Sequence, residues 1–129
     1  MQFKECYQNP FIEERADPYI TLGPDGFYYF TASYPMKSAD DKDGYDRVIL
    51  RRAKDISELA SAEEITIWKV ADTTLTHRFI WAPELHYIAG RWYVFYAGSE
   101  DKENNWAFDC HVLVCDSDDP VSYTHLRAH

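Results

Sequence analysis

A repeat with a spacing near 64 residues constrains what this chain can fold into more than any other feature. Gly26-Phe27-Tyr28-Tyr29-Phe30, preceded by Asp17-Pro18, returns as Gly90-Arg91-Trp92-Tyr93-Val94, preceded by Ala82-Pro83-Glu84. Val48-Ile49-Leu50 returns at the same distance as Val112-Leu113-Val114, and Asp55 as Asp119. Short aromatic and β-branched stretches with a glycine turn between the first two read as antiparallel strands. A period of this length, made of such strands, reads as one propeller blade per repeat. An unrelated β-protein with two similar hairpins is the alternative, and it is weakened because one offset is kept across segments with different jobs.

Alternation and turn residues place strands near 17–22, 27–33, 46–52 and 64–70, a first blade covering about 10–72. Residues 53–64 read as a loop with a helical turn, capped by Asp55. A second blade, about 78–119, starts at Ile80-Trp81-Ala82-Pro83, continues from Arg91 to Gly98 and reaches a third strand at Cys110 to Asp116. No fourth strand is expected there, and a closed propeller needs roughly four or more blades. The polar stretch from Met36 to Gly44 reads as a loop. Its Asp40-Asp41-Lys42-Asp43 run resembles the opening of a calcium loop, but the later ligand spacing and terminal Glu are absent, so no metal is expected.

The composition, 46% hydrophobic and 16% aromatic, suits a globular core, and the ten tyrosines supply flat apolar faces on which sugar rings stack. A net charge of −9 argues against a nucleic-acid partner, since no basic stripe is available to neutralise phosphates. Arg51 and Arg52, the adjacent basic pair, are expected to point to opposite faces as ordinary surface and edge residues. Cys6, Cys110 and Cys115 form an odd set without a C-x-x-C pair, so buried free thiols are expected. Met1 to Cys6 lacks the charged and then apolar run of a signal peptide, and no 18-residue apolar stretch exists. A soluble, cytoplasmic protein without a membrane partner is the expectation.

The last nine residues, Val121-Ser122-Tyr123-Thr124-His125-Leu126-Arg127-Ala128-His129, do not continue the repeat. They can be written as the codons GTC TCT TAT ACA CAT CTC CGA GCC CAC, which resembles one reading frame of the transposase adapter used to prepare sequencing libraries. Residues 120–129 are therefore expected to be adapter-derived, with no function at His125 or His129, and 1–119 to be a partial catalytic domain.

Asn9-Pro10, Arg15-Ala16-Asp17-Pro18, Tyr28-Tyr29-Phe30-Thr31-Ala32-Ser33, Tyr45-Asp46-Arg47, Leu50-Arg51-Arg52-Ala53 and Ile80-Trp81-Ala82-Pro83-Glu84-Leu85-His86 together resemble glycoside hydrolase family 43, in its α-L-arabinofuranosidase branch. The resemblance covers residues 9–119. It implies an all-β fold, a five-bladed β-propeller of which this chain holds the first blade and most of the second. It also implies an inverting glycosidase acting on pentose-containing oligosaccharides or polysaccharides, with no redox cofactor. A β-xylosidase of the same fold and a non-catalytic carbohydrate-binding propeller are the alternatives.

The resemblance makes Asp17 the general base. Inversion needs an ionised carboxylate to activate water on the face opposite the leaving group, and Pro18 biases Asp17 towards extended backbone. Trp81, Glu84, His86 and Phe30 are the expected substrate-binding residues, with Glu84 read as a positioning group in preference to the catalytic acid. The resemblance puts the general acid and its tuning carboxylate on later blades, so the chain by itself is expected to be inactive. His77 and Arg78 are candidates for the rim, Tyr34, Tyr45 and Asp46 for the pocket wall or blade packing, and Asn104, Asn105 and Trp106 for a loop in which an exposed indole meets a sugar or covers the blade edge.

Overall fold

The computed structural model describes residues 7–38, 43–72, 76, 78–100, 103–104, 106–121 and the backbone of 126–128. His77, Asn105, Cys6 and the Asp40-Asp41-Lys42 part of the calcium-like run lie outside the described residues. Eight strands are described: β1 (Ala16–Leu22), β2 (Tyr28–Ser33), β3 (Arg47–Ala53), β4 (Ile65–Lys69), β5 (Arg78–Ile88), β6 (Arg91–Ser99), β7 (Phe108–Cys115) and β8 (Leu126–Ala128). They form two four-stranded antiparallel sheets in sequential order, β1-β2-β3-β4 and β5-β6-β7-β8. The chain is all-β, and each repeat builds one sheet.

The hairpins follow from local chemistry. Ile88 pairs with Arg91 across a two-residue turn in which Ala89 and Gly90 have φ of 49° and 84°. Positive φ at both central positions matches the twist of the flanking strands, and glycine takes the second without a Cβ clash. The interval between β3 and β4 holds a short 3-10 turn over Ile56–Ala60, and Asp55 caps it by accepting from the Ser57 N–H, as the sequence indicates.

The repeat also explains how the sheets stack. Tyr29, Val48, Leu50 and Ile67 of the first sheet pack against Ile80, Leu85, Trp92, Val94, Tyr96 and Leu113 of the second. At the 64-residue offset, however, Phe30 corresponds to Val94 and Ile49 to Leu113, and Phe30 and Ile49 belong to a separate cluster with Leu59, Phe11 and Ile12. Equivalent positions therefore face opposite neighbours, as they must when identical blades are laid side by side. The first sheet packs on the second with one face and offers its other face elsewhere.

The second sheet departs from expectation in having a fourth strand. Three residues of β8 pair with Leu113, Val114 and Cys115. An edge strand carries a row of free N–H and C=O groups that any nearby backbone can satisfy, so this pairing needs no continuation of the repeat.

Arg51 is not an ordinary surface residue. Its guanidinium donates to Glu64 Oε2 at 3.0 Å and to the carbonyls of Leu59 and Ala60, while Arg52 turns to the opposite face and meets Asp119 at 3.1 Å. Glu64 also accepts from Arg15 Nε at 3.1 Å, so one carboxylate ties the segment before β1 to β3 and β4. Arg15 and Arg47 lie against the Tyr34 ring, at 4.3 and 4.4 Å from its centroid. Burial pushes the Glu64 carboxyl up, but the Arg15 and Arg51 guanidiniums outweigh it and hold the group below the usual carboxylate range. A depressed folded-state pKa gives stability that is present above the unfolded value and is lost as pH falls through the folded one. Glu64→Gln is expected to lower stability at neutral pH by about 1–2 kcal/mol and to flatten the acid limb of the melting-temperature profile below about pH 4.5; an unchanged acid limb would show that this network does not govern acid sensitivity.

Candidate active site

Asp17 lies near the start of β1, where the pairing with β2 slips between Ala16 and Tyr19. Its φ is 51°, left-handed backbone for a residue with a side chain. The preference of a pre-proline residue for extended backbone is overridden here, at a cost on the order of 1–3 kcal/mol. Ala82 in β5 has φ of 45°, in a stretch where the β5–β6 register slips on both sides of Trp81. Bulges of this kind re-aim side chains, and these two fall at matching places in the two repeats.

A buried hydroxyl joins them. Ser33, at the end of β2 and wholly inaccessible to solvent, donates from Oγ to Asp17 Oδ2 at 2.8 Å and accepts from the Ala82 N–H at 2.7 Å. Asp17 keeps an exposed face, so one carboxylate oxygen is fixed while the group stays open to solvent. Further along the same strands, the Tyr19 hydroxyl approaches His86 Nδ1 at 3.5 Å, and His86 Nε2 lies 2.9 Å from Glu84 Oε2. β1 and β5 therefore run side by side in the same direction, with Asp17 beside Ala82 and Tyr19 beside His86.

Trp81 centres an aromatic cluster near the start of β5. Its ring stacks on Phe108 at a centroid distance of 4.3 Å and an interplanar angle of 22°, and it meets Tyr45 edge-on at 5.7 Å. Phe79 joins the group between Tyr45 and Phe108, and Arg78 lies over the Phe79 ring. Trp106 stands at the outer edge, 76% exposed and 6.1 Å from Trp81 in an edge-on arrangement. Its ring also lies 6.4 Å from that of Phe108 on β7. Its turn is tied down by the Asn104 side chain, which accepts from the Trp106 N–H, and by the Ala107 N–H donating to the Asn104 carbonyl.

The expected substrate-binding residues thus divide. Trp81, Glu84 and His86 lie on β5 beside the strand that carries Asp17. Phe30 does not join them. It is 1% exposed on the face of β2 turned away from the second sheet, at the floor of a cleft of about 460 Å³ lined by Asn9, Phe11, Ile12, Arg15, Pro18 and Ile20. Strand alternation decides this, because Phe30 and Tyr29 point to opposite faces and Tyr29 faces the second sheet. Tyr34 and Asp46 are engaged by arginines, and Tyr45 contributes both an edge to Trp81 and a carbonyl that accepts from the Ile80 N–H at 2.7 Å. Sequence reasoning missed Ser33 and Tyr19. The small polar residue closing the apolar run Tyr28-Tyr29-Phe30-Thr31-Ala32-Ser33 was the available signal, since a buried hydroxyl requires a partner.

Cys115 is buried, and burial pushes its thiol up, whereas Cys110 on the other side of β7 is exposed, contrary to the expectation of buried thiols. Among the described residues, no group of three or more His, Cys, Asp or Glu side chains is placed to hold a metal ion.

Two four-stranded antiparallel sheets, each built by one repeat and packed so that β1 with its exposed Asp17 lies beside β5, define the class: blades of a β-propeller. Residues 7–127 match Glycosyl hydrolases family 43, and the chain belongs to that family. It is 40% identical over 116 residues to an extracellular exo-α-(1→5)-L-arabinofuranosidase of Streptomyces avermitilis, covering 90% of this chain and 22% of the relative. It is 41% identical over 118 residues to an enzyme of the same name from Streptomyces chartreusis, covering 92% and 33%. The crystal structure of an α-L-arabinofuranosidase from Lactobacillus brevis superposes with a TM-score of 0.79 at 38% identity, over 95% of this chain and 38% of that one. The fold is part of a five-bladed propeller, and the two sheets do not close on themselves. The chain spans about a fifth to a third of the length of these two Streptomyces relatives.

The expectation of a cytoplasmic location is overturned by these comparisons, because both Streptomyces relatives are named extracellular enzymes and point to secretion. The absence of a leader-like pattern in six residues carried no information about compartment.

Proposed function

We propose that this chain supplies the general base and part of the sugar pocket of an inverting hydrolase that releases terminal α-L-arabinofuranosyl units from arabinan or arabinoxylan oligosaccharides. The observation that carries the reading is Asp17: an exposed carboxylate in a bulge of an inner strand, with one oxygen fixed by a buried hydroxyl. Such a group is positioned to take a proton from a water attacking the anomeric carbon. The names of the relatives support the arabinofuranosyl substrate.

The other residues take positioning roles on this reading. Glu84 is held by His86, which suits a group that orients a sugar hydroxyl better than one that must release a proton to a leaving group. Trp81 walls the pocket, and the exposed indole of Trp106 offers a stacking face to the sugar beyond the scissile bond. The general acid and the carboxylate that raises its pKa come from blades outside this chain. Inversion places the acid and base about 6.5–9.5 Å apart, leaving room for the water. Without the acid, the 129-residue chain alone does not turn over substrate.

Proton NMR of the first product released by the complete enzyme from an aryl α-L-arabinofuranoside tests the mechanism. β-L-Arabinofuranose is expected to appear first and then to equilibrate. Initial release of the α-anomer would overturn inversion, and release of xylose from xylosides with arabinofuranosides untouched would overturn the substrate.

A further inference from the structure

We infer that Ser33 is a positioning residue for catalysis, a cross-blade clamp that sets the orientation of the Asp17 carboxylate through its hydroxyl. The inference rests on Asp17 being the base. Three observations lead to it independently of that role.

First, the hydroxyl is fully used and has no freedom. Ser33 is inaccessible to solvent, its proton goes to Asp17 Oδ2 at 2.8 Å, and its lone pair receives the Ala82 N–H at 2.7 Å. A serine hydroxyl has one proton to give, and a backbone N–H has only a proton to give. The direction of both bonds is therefore fixed: Ala82 donates to Ser33, and Ser33 donates to Asp17. Bonding to a carboxylate strengthens the second bond.

Second, the groups at both ends of this relay stand in backbone that does not hold itself. Asp17 and Ala82 have φ of 51° and 45°, each beside a slip in strand register. Non-glycine residues persist in the left-handed region when their surroundings over-determine them. Ser33 bonds to both, and it stands on regular strand opposite Ala16 in the ladder. Its hydroxyl is the contact common to both bulges.

Third, the relay crosses between blades. β1 and β2 belong to the first sheet and Ala82 to the second, so the orientation of Asp17 is coupled to the placement of the β5 bulge and of Trp81 beside Ala82, whose ring stacks on Phe108. One hydroxyl thus aligns the base with the neighbouring blade. A base must lie within hydrogen-bond reach of the water it activates, and small misplacements cost rate without costing binding.

The test is steady-state kinetics on the complete enzyme with an aryl α-L-arabinofuranoside, comparing Ser33→Ala, Ser33→Cys and Asp17→Asn with the unmodified protein well below their melting temperatures. Ser33→Cys keeps a side chain of similar shape with a poor donor, and so covers the case in which Ser33→Ala does not fold. The expected result is a kcat about 10–100-fold lower for Ser33→Ala and an intermediate loss for Ser33→Cys, with KM within about twofold throughout. A serine that served only packing would lower the melting temperature and leave kcat of the folded enzyme in place. A kcat within about twofold of the unmodified enzyme in whichever variant folds, or a loss expressed in KM instead of kcat, overturns the inference. Asp17→Asn separates the two levels: if it is inactive while the Ser33 variants turn over normally, the clamp alone is wrong, and if it turns over normally, the assignment of the base is wrong.

Discussion

Asp17→Asn in the complete enzyme is expected to lower kcat for an aryl α-L-arabinofuranoside by about 10²–10⁴-fold, the range contributed by a general base, with substrate binding nearly unchanged. The amide is close to the carboxylate in size, so the 2.8 Å contact from Ser33 survives if the amide oxygen faces the hydroxyl. What disappears is the ability to accept a proton from water. Because the base touches the water in preference to the sugar, ground-state binding is spared, and a mutation that lowers kcat alone marks an interaction made in the transition state. Ligand binding followed by intrinsic tryptophan fluorescence is the companion measurement, since Trp81 adjoins Ala82, whose N–H donates to the Ser33 hydroxyl that holds Asp17. Unchanged turnover would remove Asp17 as base. Lost binding together with lost turnover would recast it as a substrate ligand.

Trp92→Ala is expected to cost about 3–5 kcal/mol, a large share of the roughly 5–15 kcal/mol that holds a typical domain together. Trp92 stands on β6 and is 2% exposed. Its ring lies 5.0 Å from Tyr29 of the neighbouring sheet and 5.0 Å from Tyr87 of its own, and its indole N–H donates to the Asp118 carbonyl at 3.1 Å. Truncation removes a fully buried indole between the two sheets, leaves a cavity bounded by Tyr29, and orphans the Asp118 carbonyl. Tyr29 cannot swing to fill the gap, because its hydroxyl donates to Asp25 Oδ2 at 2.6 Å. Urea unfolding of the complete enzyme, followed by near-UV circular dichroism, reads the loss. A change below about 1 kcal/mol would mean that the sheets are not joined through this ring.

The strands were legible because their signals are local. Alternation and turn residues placed β1 to β4 within one residue of the expected bounds, apart from a longer β5 that absorbs two register slips. Asp55 was legible as a cap for the same reason, since a cap needs only the two residues that follow it. Phe30 was not. Its neighbours in sequence share its aromatic character, and the choice between pocket and packing rests on which face of β2 meets the second sheet. Arg51 looked like a surface charge because its partner Glu64 lies 13 residues further on, just before β4. Compartment was invisible to composition altogether, and the correction of the cytoplasmic expectation came from the names of the two Streptomyces relatives.

The chain's own sequence determined that it builds antiparallel sheets at a spacing near 64 residues and that Asp17 falls at the start of the first strand, because period, turn glycines and an Asp-Pro pair are all properties of neighbouring residues. Tertiary structure alone decided what holds that carboxylate. The hydroxyl of Ser33 comes from 16 residues away and the N–H of Ala82 from 49 beyond that, and no local pattern encodes a hydrogen bond that exists only once two sheets are packed face to face.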